Sequence, residues 1–473
     1  MSLSRADLRP YQNRAVEFIK ANNNAYLMLD PGLGKSATTL TAYLDLLSTF
    51  DVRRMLVIAP LRVARKVWKD ELSTWAHLHG LTISCIVGTW AEKAAALRVP
   101  ADIHTVNRES LAWIEAQFIQ GKKQLKVWPW QVVCGDEFQS LRSQTSQRWK
   151  ALNRLRRLFP RLVALSGTPA PGGYHNLWAQ YALLTPPGAV NPLGSTEQAF
   201  LDRWFENPTE QNALARPRLR PGAKEQIQAA IAPITLSMRA KDYIDMPPVR
   251  TNKIRVELTP GQMAKYKKFR REYIYELASQ RKITAVNAGV LHGKLLQLAN
   301  GAIYVDDKGN FEEFHTAKLE ALEEQLETLS VRGPVLIGYN FKSDLARMTP
   351  ILERYCGKAK SFCQLKTDRS FDEWATGEID FGLVHPGSAG HGLNSVYKSG
   401  AQDLLWFGLS PDYELYDQLN KRLTGGHRIV GRDVCLHHII AEGTQDEDTY
   451  ALLNGKAQDQ DDLTDAMARL TRS

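Results

Sequence analysis

Short apolar runs alternate with stretches of helical pattern along this chain, and that alternation limits its fold more than any other feature. In the first half, four such runs cover residues 25–29, 54–59, 130–135 and 161–166. They are apolar almost throughout, as in strands that are covered on both faces of a sheet. Strands that alternate with helices form βαβ units, whose strands lie parallel. The first half of the chain is therefore predicted to form an α/β domain with a parallel sheet.

A second block of the same alternation begins near His315, where residues 316–329 have the pattern of an amphipathic helix. The two blocks together predict two α/β lobes in tandem. The apolar runs of the second block are residues 334–339, 381–385, 403–407 and 434–440.

The composition between and beyond these blocks suggests the domain boundaries. We expect an N-terminal lobe over residues 1–245, which includes a loop-rich insertion at about 187–230 because Pro, Gly, Asn and Arg are frequent there. Residues 246–314 are expected to form a helical linker, and residues 315–473 the C-terminal lobe. Near the end of the chain, residues 459–462 are mostly acidic and are expected to fray.

The charge balance bears on the partner of the protein. The 473 residues carry a formal net charge of +9. A basic balance favours a polyanionic partner, most simply nucleic acid. The alternative is a solvated surface that happens to be basic.

Several other classes of protein are disfavoured. No apolar run approaches the roughly 18–20 residues that span a bilayer, and the N-terminus has no apolar signal segment. We therefore expect no membrane partner and a cytoplasmic location. The five cysteines include no CxxC pair, which argues against a zinc knuckle. His437 and His438 are adjacent on a predicted strand and would point to opposite faces, so we do not expect them to bind a metal together.

Residues 29–36 lie between the first apolar run and a helical stretch, which is the setting of a phosphate-binding loop. Glycines such as Gly32 and Gly34 let backbone N–H groups turn toward a phosphate, and the following helix adds the positive end of its dipole. Lys35 would place its charge on the β- and γ-phosphates of ATP, and Ser36 would coordinate Mg²⁺.

Two adjacent acids, Asp136 and Glu137, end the apolar run at residues 130–135. Carboxylates at the carboxyl end of a parallel strand lie where open α/β sheets bind their ligands. Asp136 would hold Mg²⁺, and Glu137 would orient and deprotonate the attacking water. An Asp-Glu pair can also simply begin a solvated loop, but its position about 100 residues after the phosphate loop favours the catalytic interpretation.

These motifs and several others occur in an order that resembles superfamily 2 helicases, and most closely the Swi/Snf-type DNA translocases. The resemblance covers residues 8–440. It implies two RecA-like parallel-sheet lobes in tandem, with a loop-rich and helical insertion between them and ATP hydrolysed in the cleft between the lobes. The supporting segments are residues 8–12 before the phosphate loop, 59–61 as motif Ia, 166–169 as motif III followed by 176–178, 335–339 as motif IV, 387–394 as motif V, and 417–428 as motif VI.

The resemblance also assigns roles to individual residues. Gln12 would read the adenine, because an amide can both donate and accept hydrogen bonds, and Gly392 of motif V would lie at the nucleotide. Thr168 and Asn394 are small polar groups that would contact nucleic-acid phosphates. Arg422 and Arg428 of motif VI would reach the γ-phosphate as arginine fingers.

The sequence departs from the family pattern at four places. Leu29 occupies the position of the usual first glycine of the phosphate loop. The acid pair is followed by Phe138 and Gln139, and Gln139 could donate to Thr168 or to a water near the γ-phosphate. Motif VI carries three extra residues, 424–426, whose two glycines would let the chain loop out and return Arg428 to the site. No further module accompanies the motor, which is similar to compact phage or bacterial members.

Two basic clusters are candidate tracks for nucleic acid, through sequence-independent phosphate contacts. The alternative for each cluster is an ordinary solvated face. The first cluster includes Arg216, Arg218 and Arg220, and the second includes Lys267 and Lys268.

The expected function is that of an ATP- and Mg²⁺-dependent motor that translocates on or remodels double-stranded DNA in a bacterial or phage-infected cell. We expect this motor to be a monomer. One alternative is a strand-separating DNA or RNA helicase, for which no wedge hairpin can be identified in the sequence. Another is a regulatory DNA binder that holds nucleotide without hydrolysing it, against which the intact Lys35, Asp136 and Glu137 count. A motor subunit of a restriction system would need a separate nuclease.

Overall fold

The structure is a computed structural model that describes residues 3–121, 123–171, 173–206, 217–244, 249–279, 285–358, 360–389, 396–424 and 433–472. The chain divides into two compact units. The first comprises Met1–Ile244 and Gln458–Ser473, and the second comprises Asp245–Ala457. Among the described residues, no helix is both long enough and apolar enough to cross a bilayer.

The first unit is built on a seven-stranded parallel sheet in the order β11-β1-β8-β7-β2-β4-β3. The strands of this unit are β1 (Asn24–Leu29), β2 (Met55–Ala59), β3 (Ile83–Ile86), β4 (Ile103–Asn107), β5 (Ile119–Gln120), β6 (Lys123–Gln124), β7 (Val132–Asp136), β8 (Arg161–Ser166), β9 (Phe205–Glu206), β10 (Arg218–Leu219) and β11 (Thr235–Met238).

Helices accompany this sheet, and the region expected to be loop-rich contains two of them, α8 and α9, together with the β9–β10 hairpin. The helices of the first unit are α1 (Pro10–Ala21), α2 (Lys35–Ser48), α3 (Trp68–Thr74), α4 (Trp90–Arg98), α5 (Leu111–Phe118), α6 (Gln147–Leu155), α7 (Trp178–Leu184), α8 (Glu197–Trp204) and α9 (Ala223–Ile231).

The second unit is built on a six-stranded parallel sheet in the order β12-β19-β18-β15-β17-β16. Its elements are β12 (Val249–Val256), α10 (Pro260–Ser279), α11 (Ala285–Asn300), β13 (Ala302–Tyr304), β14 (Phe311–Glu313), α12 (Ala317–Ser330), β15 (Val335–Gly338), α13 (Lys342–Cys356), β16 (Phe362–Leu365), α14 (Asp368–Ala375), β17 (Phe381–Val384), α15 (Pro386–Ala389), β18 (Asp403–Trp406), α16 (Tyr413–Thr424), β19 (Val434–Ala441) and the start of α17 (Gln445–Arg472).

The sheet of the second unit is covered on both faces. Leu336 of β15 belongs to one hydrophobic core, whereas its neighbours Val335 and Ile337 belong to another. Successive side chains of a strand point to opposite faces, so the two cores lie on opposite sides of the sheet. This arrangement explains why the run is apolar without interruption.

The boundaries of the two units differ in two places from those expected from the sequence. The segment 246–314 groups with the second unit, to whose sheet it contributes the edge strand β12. The acidic segment 459–462, which was expected to fray, lies within α17 and groups with the first unit. Both differences arise from contacts with residues far away in the chain, which a local pattern does not reveal.

Candidate active site

Three of the predicted motifs lie side by side at the carboxyl-terminal ends of neighbouring strands in the first sheet. The phosphate loop follows β1, the 166–168 turn ends β8, and the acid pair ends β7; in the sheet β8 lies between β1 and β7. A Cβ atom added to Gly167 would lie 3.1 Å from Cδ of Pro31, so the turn and the loop are in close contact. The carboxyl edge of a parallel sheet is where α/β proteins bind their ligands.

The phosphate loop has the backbone that its glycines permit. Gly32 and Gly34 have φ values of +91° and +78°, and Gly34 is the N-cap of α2. Lys35 begins this helix and donates from Nζ to the backbone oxygen of Leu29 at 2.9 Å. The side chain of Leu29 is fully buried at the end of β1. Leu29, which replaces the usual glycine, therefore packs its side chain into the core below the loop, and its backbone oxygen faces Lys35.

Gln12 of α1 lies directly against the phosphate loop. Its side-chain amide donates to the backbone oxygen of Leu33 at 3.4 Å, and its Oε1 accepts from the backbone N–H of Arg9 at 2.9 Å. A Cβ atom on Gly34 would lie 2.3 Å from Nε2 of Gln12, so a larger residue at position 34 would displace the glutamine. The structure thus brings the residue predicted to read adenine together with the loop predicted to hold the phosphates.

Asp136 is buried at the end of β7, where it accepts a hydrogen bond from Nε1 of Trp68 at 3.3 Å and one from the backbone N–H of Glu137 at 3.0 Å. Burial, followed by the charge of Glu137, raises the pKa of Asp136 above its ordinary value, and the charge of Lys35 acts in the opposite direction. A cation beside this carboxylate would stabilise its ionised form. Hard oxygen ligands such as this carboxylate and the hydroxyl of Ser36 fit Mg²⁺.

Glu137 begins a chain of hydrogen bonds that connects the acid pair to the 166–168 turn. The residue has a left-handed backbone, with φ +51°, which is uncommon outside glycine. Gln139 donates to Oε2 of Glu137 at 2.6 Å, and Oε1 of Gln139 accepts from the hydroxyl of Ser166 at 2.7 Å. The oxygen of that hydroxyl accepts from the backbone N–H of Thr168 at 3.0 Å. Gln139 is therefore connected to the backbone of Thr168 through the hydroxyl of Ser166.

The motif VI arginines are only partly described. Arg422 is half-buried near the end of α16, which ends at Thr424. Its neighbour Lys421 forms an ion pair with Asp417, at 2.8 Å. Arg428 lies outside the described residues, as do Gly392 and Asn394 of motif V, so their assignments stay predictions.

The basic candidates for nucleic-acid contact occupy different environments. Arg218, Lys267 and Lys268 are exposed, and Lys268 lies 3.7 Å from Glu272. Arg220 is also exposed, but it donates to the backbone oxygens of Phe205 and Asp202, and the first of these contacts joins β10 to β9. Arg216 lies outside the described residues. Thr168 is only 3% exposed, so its side chain is not on an open surface.

The structure adds one candidate site that the sequence did not reveal. At the carboxyl ends of β15, β16 and β17 in the second unit, a pocket of about 630 Å³ opens. The sequence signal that could have indicated this pocket is a basic or aromatic residue directly after each strand, namely Tyr339, Lys366 and His385. It was incomplete because β16 was not predicted. Side chains that line the pocket include Lys294, Tyr339, Lys342, Lys366 and His385.

The adjacent histidines of β19 point to opposite faces, as predicted. His438 contacts the hydroxyl of Tyr416 at 2.8 Å, whereas Nε2 of His437 lies 2.9 Å from Oδ1 of Asp403. Cys435 is close to His437 and Asp403, a set of potential metal ligands. The same oxygen of Asp403 also accepts from Arg332 at 2.9 Å, so a hydrogen-bonded ion pair accounts for the cluster.

Comparisons with known proteins show which families and chains this protein is similar to. The model of the SNF2-related domain matches residues 11–299. Protein p41 of Acyrthosiphon pisum secondary endosymbiont phage 1 is 35% identical over 477 residues, which cover 98% of each chain. The human SWI/SNF-related matrix-associated actin-dependent regulator of chromatin subfamily A member 1 is 24% identical over 77% of this chain, which spans only 34% of that relative. A solved Sulfolobus solfataricus SWI2/SNF2 ATPase core in complex with dsDNA is 22% identical, with a TM-score of 0.43, and the match covers 99% of this chain and 95% of that one.

Proposed function

The chain belongs to the SNF2-related family, and we propose that it is an ATP-driven motor that translocates on double-stranded DNA or remodels it. Its enzymatic class is that of a nucleic-acid-dependent ATPase. One observation carries the proposal beyond the family: the phosphate loop, the acid pair and the 166–168 turn adjoin one another, and hydrogen bonds connect the last two. A site that only held nucleotide would not need that connection.

The residues of the first unit divide the chemistry among them. The N–H groups of the phosphate loop and the start of α2 would hold the phosphates of ATP, and Lys35 would add a point charge. Ser36 and Asp136 would hold Mg²⁺, which neutralises charge on the phosphates. Glu137 would orient the attacking water and accept its proton. Gln139 would keep the carboxylate of Glu137 in place.

The hydrogen bonds through Ser166 support a coupling between ATP and nucleic acid. A change in the position of Glu137 would alter the partners of Gln139, and through Ser166 the backbone of Thr168. Motif III has this coupling role in the family that the sequence resembles. We assign to Arg422 and Arg428 the completion of the catalytic site, which would make hydrolysis depend on the second unit.

Duplex DNA is the partner that the charges favour. Arg218, Lys267 and Lys268 are exposed, and the pocket of the second unit adds further lysines such as Lys342 and Lys366. Phosphate contacts of this kind carry no sequence information. We therefore expect binding without base specificity, which weakens linearly with the logarithm of salt concentration.

The setting of this activity is also a proposal. Similarity to a phage protein along nearly the whole chain, at 35% identity, supports a role in the cytoplasm of a bacterium or a phage-infected cell. We propose that the motor acts as a monomer with Mg²⁺ and ATP.

One experiment distinguishes the proposed motor from the alternatives. ATP hydrolysis is measured without nucleic acid, with short blunt duplex DNA and with single strands, each over a series of salt concentrations. A duplex translocase is stimulated by the blunt duplex, and the stimulation falls as salt rises. Stimulation by single strands alone would identify a strand-separating helicase, and no hydrolysis under any condition would identify a regulatory binder.

A further inference from the structure

The final turns of α17 are an integral part of the first unit. Leu463 and Met467 are fully buried in the same hydrophobic core as residues of β1 and β8. Gln460 accepts at Oε1 from the backbone N–H of Ala170 at 3.0 Å, two residues after Thr168. The backbone oxygen of Thr464 accepts from the hydroxyl of Ser237 at 2.9 Å. The terminal segment thus reaches the region that follows the 166–168 turn.

Arg239 connects this segment to the phosphate loop. It follows β11, and its side chain is only 12% exposed. On one side its guanidinium contacts three groups of α17: Asp461 at 2.7 Å, Thr464 at 2.5 Å and Asp465 at 3.1 Å. On the other side its Nε lies 3.2 Å from Oδ2 of Asp30. The planar, permanently charged fork of arginine suits such a multiple contact.

Asp30 is the residue at which the phosphate loop leaves β1. Besides Arg239, its Oδ2 accepts from the backbone N–H of Ala240 at 3.0 Å. Its backbone N–H donates to the oxygen of Met238 at 3.2 Å, and its backbone oxygen accepts from Leu33 at 3.3 Å. The side chain and the backbone of Asp30 therefore fix the opening turn of the loop, immediately before Pro31.

We propose that Arg239 is a positioning residue of the ATP site, through which the acidic face of α17 fixes Asp30 and with it the phosphate loop. This inference rests on the proposed ATPase function and assigns to the terminal segment a role in nucleotide affinity. The competing explanation is that Arg239 only fastens α17 to the first unit. In that case Asp30 would be incidental, and the loss of Arg239 would lower stability without a specific effect on ATP.

Lys241 provides a matched control for this proposal. It pairs with Asp465 at 2.8 Å, as Arg239 does, and its side chain is 56% exposed. No contact of Lys241 with Asp30 is seen among the described residues. A variant at this position therefore removes one ion pair to the acidic face of α17 without changing a contact of the phosphate loop.

The test uses the full chain with saturating duplex DNA and measures KM for ATP, kcat and Tm. Arg239→Ala and Asp30→Asn should each raise KM by about fivefold or more with a smaller change in kcat, and the double variant should be no worse than Asp30→Asn, as expected for two residues that act through one contact. Arg239→Lys should recover part of the affinity, and Lys241→Ala should leave KM within about twofold of wild type.

Other results would overturn the proposal. Effects of Arg239→Ala and Asp30→Asn on KM that multiply in the double variant would show that they act independently. An equal KM for Arg239→Ala and Lys241→Ala would show that Arg239 only attaches α17 to the first unit. If Arg239→Ala fails to fold, Asp461→Asn, which removes a partner that is 56% exposed, takes its place and should also raise KM. An unchanged ATPase rate in Lys35→Ala would instead refute the proposed function itself.

Discussion

Replacement of Ser166 by alanine tests the hydrogen-bonded connection between the acid pair and the 166–168 turn. The hydroxyl of Ser166 donates to Oε1 of Gln139 at 2.7 Å and accepts from the backbone N–H of Thr168 at 3.0 Å. Ser166 and Gln139 are fully buried, and Thr168 is nearly so. Water therefore cannot readily replace the lost hydroxyl, and the hydrogen bonds that it makes to Gln139 and to the backbone of Thr168 would be lost.

The size of the effect follows from these two contacts. An unpaired buried polar group costs about 1–3 kcal/mol, so the free energy of unfolding should fall by about 2 kcal/mol or more. In a domain of this size each kcal/mol corresponds to about 2–4 °C, so Tm should fall by at least about 4 °C. Gln139 would also hold Glu137 less firmly, and a misplaced catalytic group lowers the rate, here by at least about tenfold.

The assay compares Ser166→Ala with Ser143→Ala, since Ser143 is exposed and its hydroxyl contacts only Thr145 among the described side chains. Thermal unfolding, ATP affinity and DNA-stimulated ATPase activity are measured for both variants. We expect ATP affinity to be retained in both, because the removed contact acts on hydrolysis and not on binding. Wild-type Tm and wild-type stimulated turnover in Ser166→Ala would refute the connection as described.

The remaining predictions concern the two units separately. Lys35→Ala should abolish hydrolysis with little change in Tm without nucleotide, which nucleotide titration and thermal unfolding would check. Glu137→Gln should bind ATP but hydrolyse it roughly 10²–10⁴-fold more slowly, and a failure to bind ATP would contradict its role as base. Arg422→Ala and Arg428→Ala should each bind ATP and lose at least about a hundredfold in stimulated turnover; normal turnover in Arg428→Ala would mean that residues 424–426 displace it. Lys366→Ala should weaken duplex binding and make it less dependent on salt, whereas an unchanged salt dependence would exclude Lys366 from the track.

Most of the interior strands of both sheets could be predicted from the sequence. The eight apolar runs correspond to β1, β2, β7 and β8 in the first unit and to β15, β17, β18 and β19 in the second, and all eight have a strand on either side. Within these two sheets, the strands that were not predicted are β4 and the four edge strands, β3, β11, β12 and β16. An interior strand is covered on both faces and is usually apolar throughout, whereas an edge strand can carry polar residues. β4 was missed because it is interior but carries the buried polar residues His104 and Thr105. β12 is an example, since most of its side chains are exposed.

The nucleotide motifs were also accessible from the sequence, because each is a short local pattern at the end of a strand. The glycine turn before Lys35 requires only the residues of one loop and the start of one helix. The link from Gln139 to Ser166 was not accessible in the same way, because it joins residues 27 positions apart and depends on β7 and β8 being neighbours. The sequence suggested that Gln139 donates to Thr168 or to a water, but it could not show that Oε1 of Gln139 accepts from Ser166.

The acidic end of the chain shows the same distinction most clearly. Composition indicates that Asp461 and Asp462 are charged and prefer water, and from this a frayed tail was expected. In the structure Asp461 pairs with Arg239, which lies 222 residues earlier, and Asp462 pairs with Lys224. A local sequence determines the charge of a side chain and its preference for solvent. Which opposite charge it meets is decided only when the chain has folded, because the partner is brought there by other strands and helices.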